Sequence, residues 1–274
     1  AEKAIEIAHK CGFPVIIKAA SGGGGKGMRI VYKEADLAEN LRIASSEALA
    51  NFADGTVYIE KYMVNPRHVE LQVVGDGKGG VAILGERDCS TQKNHQKLIE
   101  ESPSPAVTPK MRTAMYQGAE KLFSNLLYRG AGTIEFLVNG EEFYFMEVNA
   151  RIQVEHPVSE LVTNTDLIKE QILVCTGGNM TIPAVAHDLQ GWAMEARINA
   201  SRPGTVEKLH IPGGPGVRFD SFIYQGYTVV PHYDSMIAKL IVHDTDRKKA
   251  ITRLLRALNE LEIQGVPTNI DQQK

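Results

Sequence analysis

Pro14-Val-Ile-Ile-Lys18-Ala-Ala-Ser21-Gly-Gly-Gly-Gly-Lys26-Gly27-Met28-Arg-Ile-Val-Tyr32 is the run from which the fold class is read. Gly22, Gly24 and Gly27 match the G-x-G-x-x-G spacing of a dinucleotide loop, but that loop must open a helix, and 28–32 is made of strand formers. A Walker A loop fails as well, because no Ser or Thr follows Lys26-Gly27 and no helix starts there. What remains is strand, glycine loop, strand. The tip of such a hairpin carries no side chains, so its backbone N–H groups can close over phosphate oxygens as a flap. Lys18, ending the apolar strand just before the tip, is placed to meet a phosphate beneath it. Taken alone, the tip also reads as a flexible surface turn and Lys18 as a solvated strand end.

Working outward, residues 1–10 read as a short helix stopped by Gly12, 34–52 as a helix and 56–62 as a strand. The first sixty or so residues are thus a small α+β unit. Strands over 69–74 and 81–84 flank the glycine-rich turn at 75–80, and the polar stretch 86–104 reads as a long loop. Thr108-Pro109 opens a helix over 108–128, as a cap followed by proline at the first helical position. A second hairpin spans 133–138 and 142–148 around Asn139-Gly140. One helix is expected over 161–176, strands over 192–198 and 236–242, and an amphipathic helix over 245–261. The domain boundaries read from this order are 1–62, 63–190 and 191–274.

Thirty Lys and Arg against thirty-three Asp and Glu give a formal charge of −3 over 274 residues. No global positive field exists to hold nucleic acid or an anionic membrane, although a local basic pocket for a small phosphate is left open. The three cysteines lie far apart and without metal-ligand spacing, which fits a reducing cytoplasm, and Cys89 reads as packing and not as a nucleophile. No stretch is apolar enough for a membrane span or a signal peptide. The chain opens on a helix without a Met, so a preceding segment is expected.

Glu135 and Glu147 are acids set among apolar residues in the second hairpin, where an unpaired charge is costly. A strict two-residue Asn139-Gly140 turn would put them on opposite faces of the sheet, and a three-residue loop through Glu141 on the same face. On one face, with Asn149, they would make an oxygen-rich site suited to Mg²⁺; the alternative is two acids on a solvated face. Asn149, Arg151, Gln153 and Glu155 then alternate with Ala150, Ile152 and Val154, so an extended segment would aim all four the same way. That is either an amphipathic edge strand or an anion site, with Arg151 as a planar fork and Glu155 as a proton acceptor. The segment 87–97 concentrates donors without apolar anchors, as a solvated loop does.

Several strings, in order and over nearly the whole chain, closely resemble biotin carboxylase, a member of the ATP-grasp superfamily. They include Pro14-Val-Ile-Ile-Lys-Ala, the glycine loop, Tyr58-Ile-Glu-Lys-Tyr, Pro66-Arg-His-Val-Glu, Glu86-Arg-Asp-Cys-Ser with His95-Gln-Lys97, and Gly130-Ala-Gly-Thr-Ile-Glu-Phe. The most specific is Glu147-Val-Asn-Ala-Arg-Ile-Gln-Val-Glu-His-Pro157, followed by Glu195-Ala-Arg-Ile-Asn and Tyr233-Asp-Ser-Met. The resemblance implies an ATP-grasp fold: a glycine-flap lid, a larger antiparallel-sheet domain and part of a biotin carboxylase C-terminal domain, with the family's N-terminal α/β domain missing.

The resemblance also implies roles. Lys18 and the flap glycines Gly23, Gly24 and Gly25 would hold ATP phosphates, and Glu60, Lys61 and Met63 the adenine. His68, Gln92 and His95 would line the nucleotide pocket, and Glu135, Glu147 and Asn149 would hold Mg²⁺ or Mn²⁺. Lys97, Arg151, Gln153 and the Val154 backbone would bind bicarbonate, Glu155 would deprotonate it, and Arg197 would steady the biotin enolate. The implied activity is that of an ATP-dependent C–N ligase: carboxylation of biotin through carboxyphosphate, the first half-reaction of acetyl-CoA carboxylase on the way to malonyl-CoA and fatty acids. Implied partners are a biotin carrier protein or domain, a carboxyltransferase and a second copy in a homodimer. The alternatives are a nucleotide-binding fragment without turnover, the corresponding domain of a pyruvate or propionyl-CoA carboxylase, or another bicarbonate-activating ATP-grasp ligase. Departures from the family pattern are the short run Ala200-Ser-Arg-Pro-Gly204, Lys93-Asn94 in place of a basic pair, and an early end after Asp271. No Met-Lys-Met occurs, so a biotin-bearing lysine is expected elsewhere.

Overall fold

The computed structural model describes residues 2–21, 28–94 and 96–274. The roles expected of Gly23, Gly24, Gly25 and His95 fall outside the described residues. The chain divides into two units, Ala1–Asn65 and Pro66–Lys274.

In the first unit, helix α1 (Glu2–Cys11) runs to Gly12, whose φ of +76° reverses the chain at no Cβ cost. Strands β1 (Val15–Ala19), β2 (Met28–Val31) and β3 (Val57–Lys61) form an antiparallel sheet with β1 in the middle. A short 3₁₀ turn at Glu34–Asp36 precedes α2 (Leu37–Phe52), so the expected helix starts a turn later than its polarity pattern suggested. Val15 and Ile17 pack with Ala8, Leu37 and Ala44. The two-residue period therefore leaves Ile16 and Lys18 on the other face, where Glu60 stands opposite Ile16.

The second unit is built on an antiparallel sheet. Its long strands are β4 (Arg67–Asp76), β5 (Val81–Lys93) and β6 (Gln96–Ser102); after helix α3 (Pro109–Asn125) come β7 (Arg129–Asn139) and β8 (Glu142–Asn149). Helices α4 (His156–Thr163) and α5 (Leu167–Cys175) lead to β9 (Trp192–Asn199), the short strands β10 (Gly204–Thr205) and β11 (Lys208–His210), and β12 (Val217–Ser221). The chain ends with β13 (Thr228–Val229), β14 (Met236–Asp244), α6 (Arg247–Glu260), β15 (Glu262–Gln264) and α7 (Ile270–Gln273). Among the described residues the large sheet has eight strands in the order β12-β14-β9-β6-β5-β4-β7-β8. The stretches 63–190 and 191–274 share it through the β6–β9 pairing, and each has its own apolar core. Val69, Leu71 and Val73 pack with Met111, Met115 and Phe123 of α3, while Met194, Ala196 and Ile198 pack with Leu254 and Leu258 of α6. Gly132 on β7 lets α3 approach, since a Cβ there would lie 2.9 Å from the Phe123 ring.

Three expectations are corrected. Residues 86–104 are not a loop: β5 passes a bulge beside Gly85 (φ +82°) and continues to Lys93, and β6 returns antiparallel to it. Several of their polar side chains can be buried because they find partners: Glu86 accepts from Arg112 and Tyr116, and Asp88 from Arg67, Ser90 and Ser104. The expected helix over 161–176 is two helices, broken at Asn164 (φ +51°), after which the Asp166 side chain accepts from Lys169 N to cap α5. Beyond Asn149 the chain is not extended but runs through turns into α4.

The start of α3 is as expected: Thr108 Oγ1 accepts from Met111 N at 3.2 Å, with Pro109 first in the helix. Thr108→Ala is expected to cost about 1 kcal/mol, the ordinary price of a lost N-cap, measured by urea unfolding. Among the described residues no helix is long and apolar enough to cross a membrane.

Candidate active site

Along β4 the residues that face α3 are Val69, Leu71 and Val73, so His68, Glu70 and Gln72 project from the opposite face. Register carries the polar row sideways: Arg87 on β5 stands opposite Glu70, Glu70 opposite Glu135 on β7, and Glu135 opposite Glu147 on β8. Directly opposed residues share a face. Glu135 and Glu147 therefore lie on one face, by a route different from either turn considered above. The turn is Gly140-Glu141, and a bulge between Glu135 and Phe136 restores the register it shifts.

The row is held together by charge and hydrogen bonds. Arg87, fully buried, donates to Glu70 at 3.1 Å, Gln72 at 2.6 Å, Gln153 at 2.9 Å and Ser159 at 3.1 Å. Gln92 Nε2 donates to His68 Nδ1 at 3.0 Å, which leaves His68 Nε2–H to donate to Glu135 at 2.7 Å. Asn149 Nδ2 donates to Glu135 at 2.8 Å and to Glu147 at 3.3 Å, and Gln153 Nε2 donates to Glu135 at 2.9 Å.

Glu155 sits at the start of α4, 2% exposed, between two cations: Lys97 Nζ at 2.6 Å and Arg197 Nη2 at 2.9 Å. Lys97 also pairs with Glu70, and Arg197 donates through Nε to Glu100 at 2.6 Å. Lys239 on β14 donates to the Val154 carbonyl at 2.8 Å and so ties down the turn before Glu155. Burial pushes the Glu155 carboxyl up, but Lys97, Arg87 and Arg197 outweigh it and hold the group well below the usual carboxylate range. Burial likewise opposes ionisation of Glu135, yet the His68 hydrogen bond and the Lys97 charge bring it down to about 2.

Some of these groups line a cleft of about 650 Å³, with Glu70, Arg87 and Glu100 behind them. Of the residues singled out in the sequence, His68, Lys97, Glu135, Glu147, Asn149, Arg151, Gln153, Val154, Glu155 and Arg197 all face it. They converge without the extended strand first envisaged for 149–155, because turns redirect Gln153 and Glu155 inward. Arg151 stays exposed, with long hydrogen bonds of 3.2 Å to the Ile152 carbonyl and 3.3 Å to Asn149 Oδ1. Gln92 stands behind His68 and fixes its orientation. In the first unit Lys18 pairs with Glu60, Lys61 is exposed and Met63 is buried. Cys89 is buried, and burial pushes its thiol well up, in keeping with a packing role.

Sequence reading did not single out Glu70, Gln72, Glu100 or Lys239. The signal for the first two was present: polar residues at 68, 70 and 72 alternate with Val69, Leu71 and Val73.

Residues 1–182 match the family described as carbamoyl-phosphate synthase L chain, ATP binding domain, and the chain belongs to that family. Residues 195–274 match the biotin carboxylase C-terminal domain. Among curated relatives, biotin carboxylase of Pseudomonas aeruginosa is 46% identical over 280 residues, covering 100% of this chain and 62% of the relative. That of Haemophilus influenzae is 50% identical over 272 residues, covering 97% and 61%. The biotin carboxylase–beta-gamma-ATP complex of Campylobacter jejuni superposes with a TM-score of 0.88 at 47% identity, over 99% of this chain and 62% of that one. The biotin carboxylase domain dimer of Hydrogenobacter thermophilus 2-oxoglutarate carboxylase, with MgADP, ADP and bicarbonate, gives 0.86 at 41% identity, over 98% and 61%. The resemblance read from the sequence and the ATP-grasp fold class are borne out. The chain spans about 62% of the length of the relatives it matches.

Proposed function

We propose that this chain supplies the site at which a biotin carboxylase activates bicarbonate with ATP and transfers the carboxyl group to biotin. The observation that carries this reading is the buried Glu155 carboxylate between Lys97 and Arg197, at the end of a cleft whose far side is acidic. A nucleophile as poor as bicarbonate must be held in line with the γ-phosphate and lose its proton as it attacks. Lys97, Gln153, the Val154 backbone and Arg151 would hold the anion. Arg151 can swing in cheaply, since its present hydrogen bonds are long. As the anion takes over part of the charge of Lys97 and Arg197, Glu155 loses stabilisation of its ionised form and becomes a better proton acceptor.

Glu135 and Glu147 fit a hard cation, because two opposed carboxylates lie on one face of the sheet, and the Asn149 amide, which donates to both, would turn its oxygen to the ion. Bound there, Mg²⁺ or Mn²⁺ would offset charge on the transferring phosphoryl group. Lys18 and the glycine flap would hold phosphates, Glu60, Lys61 and Met63 the adenine, and His68 with Gln92 and His95 the nucleotide pocket. Carboxyphosphate then breaks down to CO₂ and phosphate, phosphate takes the ureido proton of biotin, and Arg197 steadies the negative oxygen while nitrogen attacks CO₂. The biotin would be presented by a carrier protein or domain, with carboxyltransferase next in line, and the subunit would pair as the Hydrogenobacter domain does. Acetyl-CoA carboxylase is the parent system this reading favours.

ATP hydrolysis that requires both bicarbonate and biotin tests the proposal, and hydrolysis indifferent to biotin overturns it. In the same assay Arg197→Ala is expected to lower biotin carboxylation about 10²–10³-fold, the usual effect of removing one oxyanion donor, while bicarbonate-dependent hydrolysis without biotin is largely kept. Biotin turnover unchanged by that substitution would favour a different bicarbonate-activating ligase.

A further inference from the structure

Behind Arg197 lie two acids that the mechanism above does not use. Glu100 on β6 and Glu195 on β9 are directly opposed in the antiparallel ladder, so their side chains leave the sheet on one face. Neither is accessible to solvent. Glu100 Oε1 accepts from Arg197 at 2.6 Å, but Glu100 Oε2 and both oxygens of Glu195 have no hydrogen-bond partner among the described residues. Three unpartnered carboxyl oxygens on two adjacent buried residues would be prohibitively costly if both groups were ionised.

We propose that Glu100 and Glu195 form a proton-sharing carboxyl pair that positions Arg197: Glu195 stays a neutral acid and donates its proton to the free oxygen of Glu100. One O–H thus serves orphaned oxygens of both residues, and the Glu100 carboxylate, held at both oxygens, fixes the guanidinium that reaches into the cleft. The charged and titratable groups facing the pair are Lys97 on β6, Arg197 on β9, Lys239 on β14, Glu155 from the turn before α4, and the Cys89 thiol on β5. On the α4 side the surroundings are apolar, since Ile241, opposite Glu195 on β14, packs with Val158 and Val162. Burial, reinforced by the Glu100 charge, pushes Glu195 well above the carboxylate range, and burial relieved in part by Arg197 leaves Glu100 at about 7. Two interacting acids with one proton between them behave this way. Glu100 therefore holds Arg197 as an anion above about pH 7 and releases it on protonation, so biotin-dependent turnover rises with pH through that value.

The role for Arg197 rests on the proposed function, but the pair itself can be read without turnover. Infrared difference spectra of the unmodified protein should retain the carbonyl band of a protonated carboxyl at about pH 9, where ordinary carboxyls are ionised. Glu195→Gln should abolish that band. In kinetics, Glu195→Met removes the donor to Glu100, disfavours its anion and moves the acidic limb of biotin-dependent turnover up by roughly one pH unit. Glu195→Gln, whose amide still donates, should leave the limb near its original place. Absence of the band in the unmodified protein, or identical pH profiles for the Met and Gln variants, overturns the pair. Absence of any biotin-dependent turnover with the band present overturns the proposed function and leaves the pair standing.

Discussion

Exchanging Glu155 for Gln is expected to lower kcat for biotin- and bicarbonate-dependent ATP hydrolysis by about 10²–10⁴-fold, the range for loss of a positioned general base. The substitution keeps the shape of the side chain and removes its capacity to take a proton. The cations that flank it remain anchored, Lys97 by Glu70 and Arg197 by Glu100, so the anion-binding geometry survives. Nucleotide affinity, measured by calorimetry with Mg-ATP, should therefore stay close to that of the parent. A kcat unchanged by Glu155→Gln would remove this residue from proton transfer. Since Lys97, Arg87 and Arg197 together keep Glu155 ionised far into the acid range in the free protein, protonation of Glu155 does not set the acidic limb of kcat/KM.

Arg87→Met is expected to destabilise the second unit by about 3–5 kcal/mol, the cost of removing one partner from a buried ion pair. Arg87 joins β5 to β4 through Glu70 and Gln72, and to the turn before α4 through Gln153 and Ser159. Without it the Glu70 carboxylate keeps Lys97 and loses its buried guanidinium partner, and the acceptors on Gln72 and Gln153 lose the donor Arg87 gave them. Arg87→Lys should recover only part of the loss, because an ammonium supplies the charge without the planar fork that reaches several acceptors at once. Urea unfolding checks both, and a Met variant as stable as the parent would show that the network is dispensable for folding.

How much of this was legible in the sequence depended on which physical signal dominated locally. The hairpin strands around the glycine tip were read directly from their β-branched runs, the start of α3 from Thr108-Pro109, and the helix near the end of the chain from its amphipathic period. The stretch 86–104 was misread because polarity was equated with solvent. Glu86, Arg87 and Asp88 are buried with complementary partners that are remote in sequence, and composition does not reveal such partners. The break between α4 and α5 had a local signal, Asn164 followed by a capping Asp166, that the continuous apolar pattern obscured. The juxtaposition of Glu135 and Glu147 could not be fixed in advance, since it depends on a bulge as well as on turn length. Glu100 was passed over inside the presumed loop and Glu195 as a strand residue, because two acids opposite one another become meaningful only once β6 and β9 are known to pair.

That pairing bears on how the chain can be divided. The two family profiles meet between residues 182 and 195, a natural place to cut by sequence, yet β6 and β9 are hydrogen-bonded neighbours across it. A chain ended there would leave β6 as an open strand edge, and the excised piece would carry β9 as another. Both are interior strands, and each would present a row of unpaired backbone N–H and C=O groups beside side chains that are now buried. Fragments or chimeras made at this boundary would therefore tend to pair with one another and precipitate, whereas a division near residue 65 cuts no sheet among the described residues.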